Sequence, residues 1–352
     1  MKRAIGVLMV ARTAPIDRGF YRSLTLDQPA SDLTDFPVLF SGTYTYLKTK
    51  ASGGLVNNAN GYDIVFYSDA ALTTKLSFER VYWDGTTGIV EFRIKVPTLT
   101  SASALVIYLA YGDTSISSDQ QNAADVWSNN YQGVYHLPDG TTLTADDSTS
   151  NGNDGTLVNT PTAIAGKIDG GANCVRTSNQ YINLGNPASL QITGDLTIEC
   201  WINPTTLNPE MLVAKDGNTG GRAYTLDLVA GNLRFYINGG GGGNIIIGGT
   251  TLSMSVWQHV VAVYNTAGTF DIYLNSSTDA TQVTGGSTSI PSATADCYIG
   301  RRVFVGSEGN FDGGFDEVRI SNTSRTAVYI AAIYSNENDP TNFYIVGAET
   351  PA

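Results

Sequence analysis

Cysteine, histidine and charge are all scarce in this 352-residue chain, and each shortage closes off a class of explanation. Three cysteines, Cys174, Cys200 and Cys297, form an odd set with no Cys-x-x-Cys pair, so neither a disulfide framework nor a zinc site is indicated. Cys200 and Cys297 stand in apolar runs, "LTIECWI" and "ADCYIG", where a thiol reads as a small buried hydrophobe. His136 and His259 are the two imidazoles, and no Gly-x-Ser-x-Gly elbow accompanies them, so a nucleophile-and-base mechanism lacks its parts. Both read as satisfied structural histidines, His259 alternating with Trp257 and Val261 on a core face. Charged residues are 15% of the chain while Gly number 38 and Tyr 19, a balance that favours short strands and turns over amphipathic helices. With 20 Lys and Arg against 32 Asp and Glu, the formal net charge of -12 argues against nucleic acid or an anionic lipid surface as partner. No apolar run reaches the length of a membrane span, so no membrane insertion is expected.

The length predicts two domains, each large enough for its own core. The opening "MKRAIGVLMVARTAPIDRG" has the basic and apolar elements of a leader, but its apolar stretch is short and Arg12 follows at once, so residues 1–19 read as an N-terminal arm. From Phe20 come "YRSLTL", "DFPVLF", "YDIVFYS", "LSFERVYW", "GIVEFRIKV" and "ALVIYLAYG". In the fifth of these Ile89, Glu91, Arg93 and Lys95 alternate with Val90, Phe92, Ile94 and Val96, the period of a sheet with one buried face. Residues 20–127 are therefore expected to form a small antiparallel sandwich that ends in a polar linker, "GDTSISSDQQNAAD".

Residues 128–352 carry a second, longer series of strand-like runs and predict a sandwich of two large sheets. Within "LTIECWI" the residues Leu196, Ile198, Cys200 and Ile202 share one face, and Thr197, Glu199 and Trp201 the other. One helix is expected, "SRTAVYIAAIYSNEN", capped by Ser324, with Ala327, Ile330, Ala331 and Tyr334 as the stripe that packs it on this sandwich. The glycine run "NGGGGGN" at 238–244 reads as a hairpin tip, since no Lys-Ser/Thr follows to make it a phosphate loop. The fold class is thus all-β, two β-sandwich domains with one short C-terminal helix.

"GVYHL", "DDSTSNGNDGT", "GDLTIECWINP", "WQHVVAVYN", "DIYLN", "YIGRR" and "FDGGFDEVRISNTSRTAVYIAAIY" occur in an order that resembles the laminin-G-like, concanavalin-A-like jelly-roll domains in their bacterial and phage form, over about residues 131–348. The stretch from "YRSLTL" to "VWSNNYQGVYHL" resembles a bacterial domain family of unknown function that often precedes such a domain. The resemblance implies architecture and binding roles, and fold alone does not give an activity.

The loop "DDSTSNGNDGT", residues 146–156, begins like an EF-hand with Asp147, Thr149, Asn151 and Gly152, but Val158 stands where that motif needs a bidentate Glu. In the resembled family a cation commonly sits at a sandwich edge, served by this loop and by the Asp of the "DEVR" strand. Asp147, Asn151 and Asp316 are accordingly the calcium candidates. The alternative is that Asp147 and Asn151 cap a turn while Asp316 pairs with an arginine such as Arg319. A glycosidase would need two carboxylates facing each other across a cleft, and no Glu-x-Asp-x-Glu strand exists; Asp316 and Glu317 are adjacent and would point to opposite faces. Tyr131, Tyr224, Tyr236 and Tyr264 could line a glycan groove or fill the core. The expected function is a non-catalytic virion structural protein, a phage capsid-decoration, tail or fibre component, whose laminin-G-like domain engages glycans or a host surface and whose expected partners are other virion proteins and its own copies. The alternatives are a secreted carbohydrate-binding or adhesion protein and, behind it, a glycoside hydrolase.

Overall fold

The computed structural model describes residues 18–138, 142–208, 210–217, 221–237, 244–284, 289–303 and 309–352; the arm of residues 1–17 and the glycine run at 238–243 lie outside them. The first sandwich is built from β1 (Phe20–Leu26), β2 (Leu33–Thr43), β3 (Val65–Tyr67), β4 (Phe78–Trp83), β5 (Ile89–Leu99) and β6 (Val106–Tyr111). One of its sheets runs β2-β5-β4, and β1, β6 and β3 lie in the other. Phe36, Phe40, Phe66, Phe78, Phe92 and Ile94 fill the space between them, the rings of Phe66 and Phe92 meeting edge to face at 5.3 Å.

The expected linker is docked along its second half. Asn122 caps a short helix, α1 (Ala123–Val126), and donates its backbone N–H to the Phe78 carbonyl, and the buried Trp127 donates its indole N–H to Glu79 at 2.5 Å. The second sandwich then comprises β7 (Tyr131–Tyr135), β8 (Thr156–Val158), β9 (Thr162–Ala165), β10 (Gly170–Cys174), β11 (Tyr181–Gly185), β12 (Leu196–Pro204), β13 (Glu210–Gly217), β14 (Gly221–Val229), β15 (Asn232–Ile237), β16 (Ile245–Thr251), β17 (Gln258–Tyr264), β18 (Phe270–Leu274), β19 (Ser277–Thr278), β20 (Ala280–Thr284), β21 (Cys297–Ile299) and β22 (Gly313–Ser321). An inner eight-stranded sheet runs β19-β18-β17-β12-β22-β10-β9 with β7 also on β22, and an outer one runs β20-β16-β15-β14-β13-β21-β11-β8. Leu196, Ile198, Cys200 and Ile202 point into the core between them, as their alternation requires. All three cysteines are free and buried.

The chain then returns to the first sandwich, which the sequence pattern does not announce. Helix α2 (Ala327–Asn338) is capped by Thr326, whose hydroxyl accepts the Tyr329 N–H, rather than by Ser324. Its buried face holds Tyr329, Ile330, Ala332, Ile333, Asn336 and Glu337, whereas Ala327 and Ala331 of the expected stripe are exposed. Tyr329, Ala332 and Ile333 join the core of the first sandwich, Ile330 packs on Val261, Val263 and Tyr273 of the second, and the helix is a wedge between the two. After α3 (Pro340–Phe343), β23 (Tyr344–Val346) and β24 (Thr350–Pro351) add to β1. Asn336 closes the open edge of β2: its amide oxygen accepts the Leu39 N–H at 2.7 Å and its amide nitrogen donates to the Leu39 carbonyl at 3.0 Å. No described helix is long and apolar enough to cross a membrane.

The face of β5 opposite the core is not solvated. Glu91 and Arg93 are as buried as Phe92 and Ile94, because the inner sheet of the second sandwich and α2 cover them. Alternation distinguishes the two faces of a strand but does not say whether the polar one meets water or another domain.

Candidate functional site

The outer sheet offers one face to the core and the other away from it, and the strand register fixes which residues lie on each. Ile182, Ile299, Val213, Leu226, Phe235 and Ile246 are core. The alternate positions pair across the sheet as a row of Thr156, Asn183, Tyr298, Ala214, Thr225 and Tyr236. A neighbouring row holds Met211, Asp227, Arg234 and Ile247, and Asp216 stands opposite Arg222. Two carboxylates, two guanidinium groups and two tyrosines therefore share one sheet face.

Both aspartates lie beneath their arginines. Asp216 and Asp227 have fully buried side chains, while Arg222 and Arg234 are 25% and 26% exposed. Arg234 grips Asp227 with two nitrogens, Nε at 2.8 Å and Nη2 at 2.5 Å, and lies over the Tyr236 ring at 5.3 Å. Asp216 accepts from Arg222 Nε at 2.9 Å and from the Tyr236 hydroxyl at 2.7 Å, and Arg302 donates to that hydroxyl at 2.6 Å. Burial pushes the Asp227 carboxyl up to about 6 against the pull of Arg234. Towards β11 the face continues as Tyr181 and Tyr298, rings 5.8 Å apart, with the Arg301 guanidinium 4.5 Å above Tyr181.

Pattern reading passed over this face, although an acidic residue inside an apolar strand ("MLVAKDG", "RAYTLDLVA") was a usable signal. Of the four tyrosines weighed, Tyr224 and Tyr264 are in the core and Tyr131 is buried against Trp127; Tyr236 alone of these stands on the polar face.

A second polar cluster lies between the sandwiches. Arg93 binds Glu317 at 2.7 Å and Glu337 at 2.8 Å; Arg319 binds Glu199 at 2.9 Å and also Glu317 and Glu337. His136 joins Glu317 (2.6 Å) to Glu79 (3.2 Å), and Trp201 donates to Glu337 at 2.7 Å. Burial alone would lower the His136 imidazole, but Glu317 and Glu79 raise it to about 10, so the ring is charged. Despite its burial, Glu317 is held well below the usual carboxylate range by Arg93, His136 and Arg319. Glu91 and Asp316 are pushed well up by burial and by the charge of Glu317. Around them Glu79, Glu199, Glu317 and Glu337 are interleaved with Arg93, Arg319 and His136.

Ligand atoms of Glu91, His136 and Glu317 lie within 4.8 Å of one another, the spacing of a metal site. Both ring nitrogens of His136 and both oxygens of Glu317 are already engaged, which makes this cluster an ionic clamp. His259 belongs to the same layer, its ring tilted against that of Trp201 at 5.2 Å; it is buried as expected, but neither ring nitrogen has a hydrogen-bond partner.

Asp316 and Glu317 do not point to opposite faces. Phe315 and Val318 both enter the core, Glu317 has φ +51°, and a bulge opposite Glu199 and Trp201 lets two consecutive acids face the first sandwich. Asp316 accepts the backbone N–H groups of Lys167 (2.7 Å) and Ile168 (3.0 Å), and Arg319 turns to the glutamates instead. Asp147 accepts four donors: Val134 N and Thr149 N on one oxygen, both at 3.0 Å, and Thr149 Oγ1 (2.9 Å) and Asn153 N (2.8 Å) on the other. Asn151 donates its amide to the Gln132 carbonyl. A carboxylate has about four acceptor sites, so Asp147 is saturated by its own turn and by β7. No contact among the described residues brings Asp147 or Asn151 to Asp316, and this donor set does not fit a calcium shell.

Residues 176–331 match the model of the concanavalin A-like lectin/glucanases superfamily, in its laminin-G form, and this stretch is a concanavalin A-like jelly roll. No curated protein matches the sequence. Among solved structures, the binding domain of Paraclostridial mosquitocidal protein 1 is similar at 15% identity and TM-score 0.47, over 60% of this chain and 52% of that one. Domain 4 of AbnA, an extracellular arabinanase from Geobacillus stearothermophilus, in complex with arabinotriose, is similar at 19% identity and TM-score 0.46, over 58% of this chain and 98% of that one. The binding domain of botulinum neurotoxin serotype C1 is similar at 13% and TM-score 0.43, over 61% and 53%. The chain spans about half the length of the two toxin domains it matches.

Proposed function

We propose that this chain is a non-catalytic saccharide-binding protein whose ligand lies on the outer face of the β21-β11-β8 end of the outer sheet. The observation that carries this reading is the half-buried pair Tyr181 and Tyr298 beside Asn183, with the Arg301 guanidinium over the Tyr181 ring, on the far side of a packed core. Aromatic rings offer an apolar surface to a sugar ring, and planar polar groups orient its hydroxyls. The matched superfamily includes lectins and glucanases by its description, and the geometry favours the former. A retaining or inverting hydrolase needs one carboxyl as acid and one as nucleophile or base. Here each aspartate is tied to an arginine.

The ionic clamp and the α2 wedge set the ligand face rigidly on the first sandwich, a form suited to display. The finer reading, that the display is on a virion, rests on the resemblance to the phage form of these domains. Mass spectrometry of purified particles finds the protein among virion components if it holds, and in the culture medium if the protein is a secreted adhesin. The binding claim is tested on a glycan array with wild type and the Tyr181→Ala and Tyr298→Ala variants. Both tyrosines are half-buried, so the variants fold, and each loses about 10-fold in affinity, or about 1.4 kcal/mol. Unchanged binding by both variants puts the ligand elsewhere.

A further inference from the structure

Lys215, on β13 of the outer sheet, is 0% exposed. Its side chain lies on the core side, since the residues opposite it, Cys297 on β21 and Tyr224 on β14, are both core. The two acceptors of its Nζ are neutral oxygens, Asn186 Oδ1 at 2.6 Å and the Ala295 carbonyl at 2.7 Å, and it forms no ion pair with a carboxylate of the described residues. We infer that Lys215 and Asn186 are the two halves of a self-forming amide cross-link, in which Nζ attacks the side-chain carbonyl carbon of Asn186 and ammonia leaves. Lys215 faces the core and takes no part in saccharide binding.

Three features carry the inference. A hydrogen bond of 2.6 Å to Oδ1 puts Cγ no more than one C=O bond farther off, within about 4 Å of the amine and close to the separation of atoms poised to react. Burial lowers the proton affinity of the Lys215 amine, although Cys297 and Asp296 pull the other way, and so favours the unprotonated, nucleophilic form. Asn186 is held in place, because it follows Gly185 at φ +67°, whose N–H is bonded to Asn183 Oδ1 at 2.8 Å, and precedes Pro187, which confines its backbone to extended conformations. Asn186 is half-buried, so ammonia has a path to water. The step balances without an oxidant or a co-reactant: the bond from Nζ to Cγ forms, the bond from Cγ to Nδ2 breaks, and one proton of Nζ ends on the departing nitrogen. Asp296 carries that proton; its charge is felt at Lys215, and its Oδ2 accepts from Asn183 Nδ2 at 3.2 Å, three residues before Asn186. In a chain whose three cysteines form no disulfide, the link ties the end of β11 to β13 and restricts the unfolded chain as a disulfide does.

The test is mass spectrometry of the full chain, purified folded and then denatured. The wild type should weigh one ammonia less than its sequence requires, and proteolysis should release a branched peptide joining the segment of Asn186 to that of Lys215. Lys215→Arg and Asn186→Ala should each have the full mass of their sequences. Asn186→Asp, which offers a carboxyl in place of the amide, should lose water instead, which separates this link from any other loss of ammonia. Asp296→Ala should stay largely at the unreacted mass, since removal of a general acid–base group slows such a step about 100-fold or more; full reaction in that variant overturns the role given to Asp296. The wild type alone decides the cross-link even where a variant does not fold: the full mass of the sequence, or a loss of ammonia that maps to another pair of residues, overturns it.

Discussion

Replacing Asn336 by Ala should cost more than its small volume suggests. Leu39 pairs with Arg93 across β2 and β5, yet both its backbone groups bond to the Asn336 amide, so they point off the sheet edge into the space that α2 closes. Asn336 is 1% exposed, and truncation strands one N–H and one C=O away from water. Each stranded group costs about 1–3 kcal/mol, so the pair costs about 2–6 kcal/mol. At 2–4 °C per kcal/mol for a unit of this size, the melting temperature falls by on the order of 10 °C. Differential scanning calorimetry measures it, with Asn336→Leu as companion: Leu restores volume but not hydrogen bonds, and should lose as much as Ala. Ala331→Ser, on the exposed face of the same helix, should change little. If both Asn336 variants melt within 2 °C of wild type, the edge of β2 is not closed in this way.

Other expectations follow from the clamp and the loop. His136 has its proton affinity raised in the folded protein, so its contribution is fully present below about pH 6.5 and is lost as pH rises through about 10. The melting temperature of wild type should therefore fall between pH 7 and 10 more steeply than that of His136→Gln, and parallel profiles would contradict the ionic pairing. A chain ended after Ser321 lacks α2, β23 and β24, and should lose the near-ultraviolet signal of the first sandwich; retention of a native signal would show that the returning segment is dispensable. Because Asp147 is saturated by four protein donors, chelation should leave the melt unchanged while Asp147→Ala lowers it by several degrees. A chelator-induced drop abolished by Asp316→Ala would restore calcium to the account.

Local patterning identified the core face of β12 and of β5 because a strand buried on one side must alternate. It could not say that Glu91 and Arg93 are interior, since an inter-domain face and a solvated face carry the same residue types. The return of β23 and β24 to β1 is a pairing over more than 300 residues, and nothing in "FYIV" names its partner. The bulge at Glu317 inverted the expected parity of one residue, and with it the placement of two acids. The loop at 146–156 read equally as a cation site or a turn, because oxygen-rich side chains serve both; only the count of donors on Asp147 separates them. Asp216 and Asp227 were visible as acids inside apolar strands, but register was needed to bring them and their arginines to one face.

A crystal structure of the full chain with a bound oligosaccharide, chosen from the strongest binders of the glycan array, tests the central claim most directly. The sugar chain should lie across β21, β11 and β8, with a ring against Tyr298 or Tyr181. Density over the first sandwich, with the outer face bare, would contradict it.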